Sequence, residues 1–101
     1  MNVQSVDLRD RDKMGEVAAK IRIMPESVDT DLNLLKTRIE ESLPEDVKLH
    51  GFSEEPIAFG LSALLVTVIL EDKEGGTQQV EDAFSEVEGV ESVQVIEVGR
   101  I

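Results

Sequence analysis

The sequence contains no cysteine, no tryptophan, no tyrosine and a single histidine. Without cysteine, disulfides, thiolate metal sites and cysteine nucleophiles are excluded. The one imidazole, His50, sits beside Gly51 on an irregular stretch and reads as a plain surface or edge histidine. A Ser/His/Asp arrangement or a transition-metal site therefore has almost nothing to draw on. Aromatic residues are limited to Phe52, Phe59 and Phe84. A core must be built from Val, Ile, Leu and Ala, and the stacking platform of RNA-recognition domains is missing. Basic residues are also scarce. Ten Lys and Arg stand against 22 Asp and Glu, for a net charge of −12. Such a charge repels nucleic acid and anionic membrane at long range. It serves equally as a solubility coat and as a field steering the chain onto a basic partner. No apolar run reaches the roughly 20 residues that span a bilayer. No basic region followed by an apolar stretch marks a signal peptide, so the sequence points to the cytoplasm.

What is present amounts to one domain. A chain of 101 residues carries one modest core, with little room for a deep substrate pocket. Residues 1–13 (MNVQSVDLRDRDK) alternate in charge, cancel, and show no sustained period. They read as a flexible extension, with Met14 as a candidate natural start and residues 14–101 as the domain. Residues 16–24 alternate, Val17, Ala19, Ile21 and Ile23 facing one way and Ala18, Lys20, Arg22 and Met24 the other. This predicts a strand ended by Pro25. Asp29, Thr30 and Asp31 offer caps for a helix whose stripe is Leu32, Leu35, Ile39 and Leu43, stopped by Pro44. A less regular strand is expected over 47–53, broken by Glu54-Glu55-Pro56. Residues 61–70 (LSALLVTVIL) are apolar on both faces, as in the middle of a sheet. A second helix, capped by Thr77, presents Val80, Ala83, Phe84 and Val87, with Gly89 as its left-handed C-terminal residue. In the last strand, 90–98, Val93 and Val95 share one phase and Ile96 and Val98 the other. This signals either two covered faces or a bulge near Val95.

The order strand–helix–strand–strand–helix–strand is the split βαβ, ferredoxin-like α+β pattern. Right-handed crossovers place both helices on one face of a four-stranded antiparallel sheet, strands one and three central. The opposite face, with Ala63, Leu65, Thr67 and Ile69, is then expected to lie exposed unless a partner or a second copy covers it.

Chemistry-bearing clusters are weak. The carboxylates Glu40/Glu41, Glu54/Glu55, Glu71/Asp72/Glu74 and Glu81/Asp82 read as solvated faces of an acidic chain rather than acid–base pairs. The cluster at 71–74 lacks the alternating spacing of a calcium loop. Gly75-Gly76-Thr77 precedes a helix as a phosphate-binding turn does, but its acidic neighbours repel phosphate and no lysine follows in register. No cofactor, metal or catalytic constellation is expected, and the chain reads as a binding module rather than an enzyme. The segment Pro56-Ile57-Ala58-Phe59-Gly60 is out of place, because a connector normally carries polar turn residues. Two readings of it stand open. Ile57 and Phe59 fold back on the core, or Phe59 beside the permissive Gly60 plugs a partner's pocket. The ending Val98-Gly99-Arg100-Ile101 adds a cation and an apolar residue after a strand, as a stub that inserts into a partner or frays.

Pro56-Ile-Ala-Phe-Gly-Leu61 ahead of a long apolar strand resembles archaeal translation elongation factor 1-beta. So do the acidic turn at 71–76, Gly-Val-Glu-Ser-Val at 89–93, and Met14-Gly-Glu-Val-Ala-Ala-Lys-Ile followed by Met24-Pro25-Glu26-Ser27. The resemblance covers residues 14–101. It implies a guanine nucleotide exchange factor acting on the elongation GTPase that carries aminoacyl-tRNA (elongation factor 1-alpha); the chain is expected to act as a monomer. It also implies that Phe59-Gly60 faces the GTPase, with Pro56 and Ile57 beside it. Arg100, standing where eukaryotic relatives have a penultimate lysine, is implied to approach the Mg²⁺ and phosphate site together with Ile101. Arginine keeps the charge but is bulkier and forks differently. The alternative is a small-molecule-binding regulatory domain of the same fold. That requires a glycine-containing loop after the first strand, where Met24-Pro25-Glu26-Ser27 stands.

Overall fold

The alternation at 16–24 becomes strand β1, Glu16–Pro25, in which every second residue from Val17 to Pro25 is buried. The structure, a computed structural model, describes residues 15–72 and 75–100. The expected extension at 1–13, Met14, Lys73, Glu74 and Ile101 lie outside the described residues. Helix α1, Leu32–Glu41, starts on Asp31, whose carboxylate accepts from the backbone N–H groups of Asn33 and Leu34. Strand β2, Lys48–Ala58, and strand β3, Leu61–Glu71, form a hairpin. Helix α2, Gly76–Ser85, leads to strand β4, Val90–Arg100.

The sheet order is β2-β3-β1-β4 and all three pairings are antiparallel. This is the ferredoxin-like arrangement, with β1 and β3 central. In register, Val17, Ala19, Ile21 and Ile23 lie opposite Leu70, Val68, Val66 and Leu64, so they share one face. Leu35 and Ile39 of α1 and Val80 and Phe84 of α2 close on that face as one buried cluster. Each such side chain contributes about 1.5–3 kcal/mol relative to exposure, and Phe84 is the largest wholly buried one.

Three local expectations are corrected, and an alternative left open in β4 is decided. Thr77 does not cap α2; the N-cap is Gly75 at φ 80°, with no side-chain bond, and Thr77 lies in the first turn. Gly89 does have a positive φ, 100°, but the helix ends at Ser85. The glycine instead serves the turn in which Val90 N–H donates to the Val87 carbonyl. In β4 the register steps by one between Lys20↔Glu97 and Ile21↔Val95. Ile96 is thus the extra residue of a bulge, which brings Val95 and Val98 opposite the core-face residues Ile21 and Ala19. Finally, the second sheet face is not an open apolar surface. Ala63 is wholly buried, and Leu65, Thr67 and Ile69 are half-buried. Arg22 bonds Glu55 at 3.0 Å and approaches Gln94 at 3.4 Å, while Lys20 pairs with Glu97 at 3.8 Å. These pairs tie β1 to both edge strands on this face.

Candidate partner-binding surface

The apolar connector is not a loop. β2 runs through Glu54, Glu55 and Pro56 to Ala58, which pairs with Leu61. Proline is tolerated there because β2 is an edge strand and needs no ladder donor on its outer side. The register steps between Pro56 and Ala58, leaving Ile57 as the bulged residue. Only Phe59 and Gly60 remain to make the turn, at φ 53° and 82°. Positive φ at both central positions is the signature of a type I′ hairpin turn, normally the place of Asn-Gly. Gly60 adopts this conformation without strain. Phe59 does not: a left-handed backbone costs a bulky L-residue roughly 1–2 kcal/mol.

The side chain of Phe59 recovers none of that cost. It is 101% exposed. The reading in which Phe59 folds back on the core is therefore overturned, and Ile57, 45% exposed, is likewise not a core residue. The ladder explains why. A two-residue turn leaves no slack to fold inward, and the sheet edge carries the tip away from the helices.

The hairpin that presents this tip is braced from both sides. Glu54 lies opposite Leu64, on the helix face, and pairs with Lys36 of α1 at 3.3 Å. Glu55 lies opposite Ala63, on the other face, and receives the Nε–H of Arg22. In the sequence these two carboxylates read as a strand break and a solvated pair. The available signal was their alternation within a continuing strand, masked by the proline that follows.

The remaining candidates lie elsewhere. Arg100 pairs with Val17 in the ladder, at the end of β1 opposite Pro25. From there to the hairpin tip is about 30 Å, at roughly 3.3 Å per strand residue. The structure therefore groups Pro56, Ile57, Phe59 and Gly60 at one end of the sheet and puts Arg100 at the other. Ile101 lies outside the described residues. Nor is Arg100 on a free stub: it is the last residue of β4, and its guanidinium meets the carboxylate of Asp72 at 2.8 Å. Both remain substantially exposed. Arg100 also borders a shallow depression of about 240 Å³ with Lys20, Thr67 and Gly99. His50 is an exposed residue at a register step in β2. Among the described residues, no group of three or more His, Asp or Glu is gathered as a metal site would require. No helix among them is long and apolar enough to cross a membrane.

Comparison with known proteins places the chain in a family. Residues 18–101 match the model of the EF-1 guanine nucleotide exchange domain. An elongation factor 1-beta from Methanosarcina barkeri is 62% identical over 89 residues, which is 87% of this chain and all of the relative. The protein of the same name from Halorubrum lacusprofundi is 59% identical, again over 87% of this chain and all of the relative. That from Methanothermobacter thermautotrophicus is 51% identical over 87% of this chain and 99% of the relative. Among solved structures, the C-terminal domain of the MgtC protein from Mycobacterium tuberculosis superposes with a TM-score of 0.56. Its identity is 16%, over 85% of this chain and 90% of that one, a likeness of fold alone. With the exchange-domain match covering residues 18–101 and relatives above 50% identity over their full length, the chain belongs to the elongation factor 1-beta family of guanine nucleotide exchange factors.

Proposed function

We propose that this protein accelerates exchange of GDP for GTP on elongation factor 1-alpha, the GTPase that delivers aminoacyl-tRNA, and does so as a monomer in the cytoplasm. The observation that carries the reading is Phe59. A fully exposed aromatic held in a strained turn has no folding reason, and strain of this kind is kept where a site uses it. Family membership supplies the partner. In this reading Pro56, Ile57, Phe59 and Gly60 form one contact, and Arg100 with Ile101 forms the other. The braced sheet fixes the spacing between them.

No covalent chemistry is required, and the protein is not an enzyme in that sense. An exchange factor works by binding the nucleotide-free GTPase more tightly than the loaded one. The hairpin contact supplies affinity. Arg100 supplies the differential part, since a cation brought near the GTPase's Mg²⁺ disfavours the ion. The repulsion is roughly 4 kcal/mol per pair of unit charges at about 4 Å, with an effective dielectric constant of ~20. Arg100 must first leave Asp72, but an exposed ion pair is worth only about 0–1 kcal/mol, so the exchange of partners is feasible. The ion pairs Lys20–Glu97 and Arg22–Glu55 on the second sheet face favour action as a monomer, because charges there oppose burial against a second copy. The test is release of labelled GDP from the cognate GTPase under substoichiometric amounts of this protein. Multiple turnovers of release per molecule are expected, and none from a folded sample would overturn the reading.

A further inference from the structure

The hairpin tip has a neighbour that the sequence did not single out. The connection from β1 to α1 carries Val28, which is 57% exposed. Val28 and Gly60 border the same hollow of about 70 Å³, between that connection and the hairpin. The connection is also well held. Ser27 N–H donates to the Thr30 hydroxyl, Asp29 N–H donates to the Ser27 hydroxyl, and Glu26 N–H donates to the Gly89 carbonyl. Val28 is therefore presented outward by a loop that is already ordered, which lowers the entropy lost on binding.

The charge around this end is one-sided. Its cations Arg22 and Lys36 are committed to Glu55 and Glu54. Glu26 and Asp29 are exposed, and neither makes an ion pair among the described residues. An apolar centre with an acidic rim repels nucleic acid and anionic lipid, and two copies of it repel each other.

We infer that the contact at this end is a two-loop surface, with Phe59 and Val28 at its apolar centre and Glu26 and Asp29 on its rim. It fits a protein pocket that is apolar inside and ringed by lysine or arginine. The inference rests on the exchange-factor reading for the identity of that protein and adds the chemistry of the pocket. Apolar burial at the centre holds the complex, and the rim speeds and orients encounter.

The experiment titrates the full chain against the cognate GTPase. GDP release separates half-saturating concentration from maximal rate, and calorimetry on the nucleotide-free GTPase gives affinity directly. Val28→Ser is expected to raise the half-saturating concentration about fivefold, with maximal rate and thermal stability unchanged, because a half-exposed valine loses little packing in the free protein. Glu26→Gln with Asp29→Asn is expected to raise it about two- to fivefold at low salt, and the effect fades as salt screens the rim. If wild type accelerates release while both variants bind like wild type, the two-loop surface is overturned and the exchange reading stands. If wild type binds the GTPase without accelerating release, the exchange reading fails, and the affinity of Val28→Ser then decides the surface alone. If wild type does not bind, both are overturned.

Discussion

Replacing Phe59 by asparagine is expected to make the protein more stable and less active. In the folded state Phe59 holds φ 53°, a conformation that asparagine adopts readily and phenylalanine does not. Relief of that strain is worth about 1 kcal/mol. Nothing offsets the gain, because the ring is fully exposed and packs against no core residue that would be uncovered. In a domain of this size 1 kcal/mol raises Tm by roughly 4–8 °C. Partner binding moves the other way. An aromatic anchor buried at an interface commonly carries 2 kcal/mol or more, so the half-saturating concentration in GDP release should rise at least about tenfold, equivalent to ~1.4 kcal/mol. Thermal unfolding and the release assay on the same preparation read both quantities. A fall in Tm would show that the ring supports the fold after all. Unchanged release kinetics would show that the tip is not the contact. Either result refutes the argument from exposure and strain.

Two further perturbations are specific. Asp31→Ala removes the side chain that caps α1 and should lower stability by about 1 kcal/mol, read by thermal unfolding, with maximal exchange rate unchanged because α1 only scaffolds the sheet. Asp72→Asn removes the carboxylate that holds Arg100. It should leave Tm almost unchanged, since exposed pairs contribute about 0–1 kcal/mol, and raise the maximal rate by up to about fivefold as this ion pair no longer competes for the arginine. A slower rate would show instead that Asp72 aims the arginine.

The amphipathic periods of β1, α1 and α2 and the two-sided apolar run of β3 were legible in the sequence because side chains there follow the backbone repeat, and from those patterns the topology follows. The phase change in β4 allowed a bulge near Val95 or two covered faces, and the strand register decides for the bulge. The hairpin was obscured by chemistry that sequence reads ambiguously. Pro56 is a strand breaker in general but a neutral residue on an edge, and only the sheet order reveals that β2 is an edge. Phe59 has the hydrophobicity of a core residue, and no pattern distinguishes a ring pointing inward from one held out on a tight turn. The ion pair beside Leu65 and Ala63 depends on Arg22 meeting Glu55, a contact 33 residues apart in the chain. The separation of Phe59 from Arg100 is likewise a product of ladder register, invisible until the strands are paired. Val28 gave no signal at all, because a lone valine in a polar loop is ordinary.

The central claim is that one rigid sheet divides the work between its ends, affinity at the hairpin and release at Arg100. Its most direct test is GDP release from the cognate GTPase, with this protein titrated to saturation as the full chain and as a chain lacking Arg100 and Ile101. Loss of maximal rate by at least about tenfold, equivalent to ~1.4 kcal/mol of barrier, with little change in half-saturating concentration, is the predicted result. An unaltered maximal rate, with weakened binding as the only effect, would contradict the account.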